Sequence, residues 1–322
     1  MRRWMVVCVT VLVLGAGCSD DPGGSSPPPP APTTPSATSA THTPTPSATP
    51  AQHSGTLELL PRFSGQRAMR TVRHLADVIG PRLATGPGFR RAATYVEGRF
   101  AATGYSVHRQ PFRVPAGDSW GVPVRAGRSS NVVATGLGFD PTAPYVVVGA
   151  HLDTVAVAPG AEDNASGVAV LLELAHVLRG FPQVVLVAFG GEEPRGPGDL
   201  HHFGSKAYVE QLTDELGINL RAMVSLDRVG VGTVVPLSSV GGTPAALRDR
   251  LADVADDLGI PTVVEHDSAS DHESFADAGF LAARVGSTPY AGYHSAADVP
   301  AVVSPAQLGR VGDLLISWLR AS

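Results

Sequence analysis

Three short, unbroken apolar runs, each followed by side chains that can bind a metal, constrain this chain more than any other feature. They are 144–150 (PYVVVGA), 184–189 (VVLVAF) and 222–226 (AMVSL), followed by His151, by Glu192 and Glu193 after two glycines, and by Asp227. A run with no polar alternation reads as a strand covered on both faces, the signature of a parallel sheet between helical layers. Helical spacing recurs around these runs. Residues 66–79, 89–103, 164–179 and 304–319 read as amphipathic helices, and Thr243 to Leu258 as another with Thr243 as cap and Pro244 in its first turn. Further strands are expected at 105–112, 131–135, 261–265 and 280–285. The alternation predicts one α/β domain over 56–322, with a central mixed, mostly parallel β-sheet flanked by helices on both faces.

The residues after the three runs then fall at the carboxyl edge of the sheet, where open α/β sheets bind ligands. Asp163 and His294 come from glycine-containing loops able to reach the same edge. Each residue has an ordinary reading when taken alone. His151 and His294 can be structural, Asp163 can cap the helix that follows, and Asp227 can pair with Arg228 on the surface. Glu192 and Glu193 are harder to explain, since adjacent carboxylates after an apolar strand repel unless something cationic sits beside them. Together, two imidazoles and three carboxylates can hold a pair of Zn2+ ions, with one carboxylate shared and one group left free to move protons. Cobalt or manganese suits the same nitrogen and oxygen donors. Asp153 follows His151 by two positions, so in an extended segment it can hold the far imidazole nitrogen.

Composition places the rest. Residues 1–17 have the basic, apolar, small-residue layout of a signal peptide, and Cys18 directly after Gly15-Ala16-Gly17 resembles a bacterial lipobox. The expectation is an exported protein, anchored to the outer face of the bacterial cell membrane through lipidated Cys18 or else secreted. Residues 18–55 are rich in Pro, Ser and Thr and read as a disordered tether. The chain's two cysteines are Cys8 and Cys18, so the folded part has no thiol and any zinc there is bound by nitrogen and oxygen. A formal charge of −5 excludes a nucleic-acid partner, and a monomer is expected.

In order and in content the motifs resemble the M28 family of zinc peptidases, the bacterial secreted aminopeptidases in particular. The matching stretches are 149–154 (GAHLDT), 160–167 (GAEDNASG), 189–193 (FGGEE), 225–227 (SLD) and 293–298 (YHSAAD), and the likeness runs over roughly 66–320. It implies one zinc held by His151 and Asp227, a second by Glu193 and His294, and Asp163 bridging both. It further implies Glu192 as general base, Asp153 behind His151, Tyr293 as a donor to the oxyanion, and a cis peptide after Asp163. A carboxypeptidase, a dipeptidase and a non-catalytic peptide-binding lipoprotein are the alternatives. The 66 residues between Asp227 and His294 are too few for the inserted lid domain of the related M20 peptidases. Two other polar clusters carry lesser expectations. Ser270 with Glu273 reads as a capping box, with Asp271 and His272 near the substrate pocket. The segment 194–203, with His201 and His202, reads as a surface loop.

Overall fold

The computed structural model describes residues 61–179 and 181–321. The expected signal peptide and tether lie outside the described residues, as does Gly180. The chain enters through α1 (Gly65–Arg73), prolonged by a wider turn His74–Ile79, and α2 (Pro87–Ala101). Then come β1 (Ser106–Val114), the hairpin β2 (Gly117–Ser119) and β3 (Val122–Val124), β4 (Gly127–Thr135) and β5 (Tyr145–His151). A tight turn Ala161–Ser166 leads into α3 (Gly167–Val177), β6 (Val184–Phe189), α4 (Phe203–Glu210), α5 (Asp214–Asn219) and β7 (Leu220–Leu226). The chain closes with β8 (Val235–Ser239), α6 (Ala246–Asp257), β9 (Thr262–His266), α7 (His272–Asp277), β10 (Ala282–Val285) and α8 (Pro305–Ala321).

Eight strands form one sheet in the order β1-β4-β6-β5-β7-β10-β8-β9. The four central strands β6, β5, β7 and β10 are mutually parallel, while β4 and β8 pair antiparallel at either side. This is the mixed, mostly parallel sheet expected from the sequence. Its strands alternate between two cores. Val146, Val148 and Ala150 join the cluster built with α1, α2, α3, α6 and α8, whereas Tyr145 and Val147 meet Tyr208 of α4 and Phe275 of α7. In β7 the alternation slips, because Arg221 is an extra residue where Tyr145 faces Leu220 and Val146 faces Ala222. The slip lets Leu220 and Met223 face one core while Ala222, Val224 and Leu226 face the other.

Two helix starts differ from the expected ones. The helix anticipated at 164 begins at Gly167, since Asp163 and Asn164 have non-helical backbone angles. Asn164, rather than Asp163, satisfies the open backbone groups there: its Oδ1 accepts from Gly167 N and Arg228 N, and its Nδ2 donates to Leu226 O. Nor does Thr243 cap α6, which begins at Ala246; its hydroxyl donates back to Val240 O. No helix among the described residues is long and apolar enough to cross a membrane.

Candidate metal centre

His151 is the last residue of β5, which lies between β6 and β7, so four of the predicted residues come from three neighbouring strands. Asp227 follows the end of β7, and Glu192 and Glu193 follow β6 after Gly190 and Gly191. The turn carrying the two glutamates is fixed by Asp153, whose carboxylate accepts from the backbone N–H of Glu192 at 3.1 Å and of Glu193 at 3.3 Å. It is also fixed by Gly204 at the start of α4. A Cβ there would lie 2.2 Å from Gly190 O, an approach that only glycine allows.

Asp163 stands at the centre, and its two oxygens face different partners. Oδ1 is 3.1 Å from His151 Nε2 and Oδ2 is 3.0 Å from His294 Nε2. Asp227 Oδ1 lies 3.5 Å from His151 Nε2, and Glu193 Oε2 lies 3.3 Å from His294 Nε2. Two triplets therefore share Asp163: His151, Asp163 and Asp227, and Asp163, Glu193 and His294. All five residues are at most 5% exposed at the side chain. Asp163-Asn164 is a cis peptide.

The donors fit cations better than they fit one another. Ligand atoms bound at about 2.0–2.2 Å in a tetrahedron stand roughly 3.3–3.5 Å apart, and the observed separations bracket that spacing. Glu193 Oε1 and Asp227 Oδ1 are buried without a hydrogen-bond partner. His151 Nδ1 lies 3.2 Å from Asp153 O, which as an acceptor fixes the Nδ1–H tautomer and leaves the Nε2 lone pair aimed at two carboxylates. A bare lone pair facing carboxylate oxygens is repulsive, so either a proton or a metal belongs between them.

Without metal the protonation pattern follows. Burial pushes the Glu193 carboxyl up to about 8, reinforced by the Asp163 charge. Burial acts upward on Asp163 as well, but the two histidines hold it at about 2. Asp227 is driven far below the ordinary carboxylate range, because the Arg284 guanidinium and His151 outweigh burial. His294 rises to about 10 and His151 well above its usual value, as neighbouring carboxylates overcome the opposing effect of burial. These signs predict how metal-free stability depends on pH. The folded chain holds a proton on Glu193 up to about pH 8 that the unfolded carboxyl releases near 4.5, so rising pH over that window destabilises the fold. The His294 proton stabilises below its unfolded value of 6.5, and that contribution is lost as pH rises through about 10. Asp163 acts the other way, between its unfolded value of 3.8 and about 2, at lower pH. The thermal midpoint of chelated protein is expected to fall steadily from about pH 5 to about pH 9; calorimetry showing a midpoint that climbs over this range would contradict the assignment.

The structure brings the predicted residues to one place, but it changes three readings. The Asp153 carboxylate is turned to the glutamate turn and approaches His151 Nδ1 only to 4.0 Å, while its backbone oxygen is nearer. The segment 194–203 is not a simple surface loop. Arg195 and His202 are buried, and His202 Nε2 lies 3.3 Å from Glu192 Oε1. Burial works against its charge, but Glu192 and Glu273 raise the His202 imidazole to about 10. Ser270 and Glu273 do not form a capping box either: the Ser270 hydroxyl pairs with Ser225 at 2.9 Å, and Glu273 meets His202. Asp271 and His272 are fully buried behind the site, and burial with the Glu192 charge moves Asp271 up to about 7.

Sequence reading missed Arg82, Arg284, Glu162 and the work of Asp298. Arg284 lies in β10 with Nη2 2.9 Å from Asp227 Oδ2, and Asp267 meets its other nitrogen. A charged residue inside the apolar run 281–285 was the available signal. Asp298 accepts from the N–H of Glu162 at 2.8 Å and of Asp163 at 3.1 Å. Glu162 accepts from Gly230 and Val231, with its carboxyl lifted by burial to about 8. Above the cluster lies a cleft of about 260 Å3 whose lining includes Trp120, Arg228, His201, Glu273 and Tyr293. Tyr293 stacks on His294 with ring centroids 3.7 Å apart, and the Arg228 guanidinium lies over the Tyr293 ring at 4.5 Å.

The profile of peptidase family M28 matches residues 131–319, a span that contains all six of the residues first singled out. The chain belongs to this family. Aminopeptidase YwaD of Bacillus subtilis is 29% identical over 184 residues, covering 53% of this chain and 39% of YwaD. The chain spans about two fifths of the length of the curated relatives it matches first. Among solved structures, BSAP, a zinc aminopeptidase from Bacillus subtilis, superposes with a TM-score of 0.71 at 18% identity, over 81% of this chain and 95% of that one. A glutaminyl cyclase from Fimbriiglobus ruber superposes at 0.68 with 25% identity, over 81% and 96%. The shared fold thus hosts more than one chemistry, and the choice rests on the site.

Proposed function

We propose that this M28 protein is a di-zinc aminopeptidase that removes N-terminal residues from peptides, with Glu192 as general base. The observation that carries the reading is the division of Asp163, whose two oxygens serve two separate donor sets. His151 and Asp227 would hold one zinc and Glu193 and His294 the other, with Asp163 common to both. When bound, such a pair supplies Lewis acidity and lowers the pKa of water from about 15.7 toward about 7.

The chain's own groups supply the rest. Glu192 Oε2 lies 4.0 Å from His151 Nε2, at the edge of the cluster, while Oε1 faces His202. One oxygen is thus placed to take a proton from water and return it to the leaving amine. Tyr293 lines the cleft beside His294 and is the side chain available to donate to a developing oxyanion. Glu192 and Glu273, the cleft carboxylates outside the two donor sets, offer the negative charge that an α-ammonium group seeks. The two arginines that could welcome a C-terminal carboxylate are engaged, Arg284 by Asp227 and Asp267, Arg228 by Tyr293.

The test is a panel of peptides with free and acetylated N-termini, read by mass spectrometry. Stepwise loss from the free N-terminus, absent in the acetylated set and abolished by chelator, is the expected pattern. Cleavage of both sets alike, or from the carboxyl end, would reject the aminopeptidase reading.

A further inference from the structure

His201, His202 and Glu273 form a donor group separate from both triplets, with ligand atoms all within 4.8 Å of one another. Glu273 Oε2 is 3.0 Å from His202 Nδ1 and 3.7 Å from His201 Nδ1. The shorter distance suits a hydrogen bond but the direction does not, and His202 Nδ1 is buried without such a partner. Nitrogen and oxygen atoms that converge at this spacing without bonding to each other repeat the pattern of the two triplets. The His202 side chain is 4% exposed. His201 and Glu273 are 24% and 22% exposed and line the cleft, so water or a further ligand can complete the coordination. Two imidazoles and a carboxylate with open positions are a recognised donor set for zinc.

We propose that His201, His202 and Glu273 form a third divalent-cation site of the zinc type, in the cleft above the two triplets. A cation on Nδ1 of His202 requires that lone pair, so the neutral ring carries its proton on Nε2, which faces Glu192 Oε1 at 3.3 Å. The site stands on the placement of these three side chains and does not depend on the reading of Glu192 as general base. With three protein donors, two of them partly exposed, the third site fills after the buried pair and empties first.

Equilibrium dialysis against rising zinc, with metal counted per chain, tests the site, and cobalt absorption reports its coordination. Wild-type protein is expected to keep two equivalents tightly and to take a third in excess zinc. His201→Ala and, separately, Glu273→Gln should weaken the third by roughly tenfold or more while keeping the tight two, which also verifies that each variant is folded. Absence of a third equivalent, or a third equivalent unchanged in both variants, overturns the site. If Glu192→Gln hydrolyses peptides as fast as wild type, the failure lies in the base assignment, and the metal counts still judge the site.

Discussion

Glu192→Gln is expected to lower kcat by roughly 10²–10⁴-fold while the protein retains its zinc. Glutamine keeps the shape of the side chain, so the space beside His202 and the cluster stays filled. It cannot accept a proton at neutral pH. Neither triplet that shares Asp163 includes Glu192, which is why metal content should be unaffected. Glu192 does lie close to His151 and Glu193, however, so metal analysis has to accompany the kinetics. A fall in turnover that tracks loss of zinc would make Glu192 a ligand, and unchanged turnover would remove it from the reaction altogether. KM is expected to change little, since the base acts on water rather than on the peptide.

Arg82→Ala should be the most destabilising single change away from the cluster, by about 3–5 kcal/mol. Arg82 is fully buried, yet no carboxylate among the described residues pairs with it directly. Its guanidinium donates to the carbonyls of Leu152 at 2.8 Å, Pro159 at 2.6 Å and Gly160 at 2.8 Å, with Leu75 and Gly80 further out. The first three carbonyls belong to the stretch joining His151 to Asp163, so one side chain knots the backbone between two proposed ligands. Burial lowers the pKa of Arg82 to about 10, and the pull of Asp298, Asp153 and Asp163 offsets part of that effect. Truncation leaves several buried carbonyls unsatisfied around a cavity, against a total stability of about 5–15 kcal/mol for a domain. Denaturant unfolding with metal present is the measurement. A loss below about 1 kcal/mol would mean that the 152–160 segment holds its shape without the arginine. Arg82→Lys should fall between, because it keeps the charge but not the fork of donors.

What could be read from the sequence divides along physical lines. β5, β6 and β7 were legible because strands buried on both faces are spelled as largely apolar runs, and His151, Glu193 and Asp227 were legible as candidates because they follow those runs. β8 was not, since Pro236, Ser238 and Ser239 give it the spelling of a turn, although all three are buried between β9 and β10. α5 has six residues, includes Gly217 and buries none of them, so it carries no periodic signal. The approach of His202 to Glu273 joins positions some 70 apart. It depends on α4 packing on α7, where the Ser205 and Ser274 hydroxyls meet at 2.9 Å. Nothing local in either segment announces that meeting. Asp153 shows a different limit: spacing correctly placed it beside His151, but the nearby Glu192 and Glu193 amides are better partners for its carboxylate than a ring nitrogen already served by a backbone oxygen.

Asp298 has one more effect. Because its carboxylate grips the amides of Glu162 and Asp163, and its backbone oxygen takes Ala161 N, the loop bearing His294 is clasped to the segment bearing the shared aspartate through protein bonds alone. Asp163 and His294, two of the proposed ligands, are thus set beside each other by the protein alone. If they hold metal as proposed, uptake orders little new backbone, and the protein is expected to be stripped and recharged as a tool whose jaws are already set.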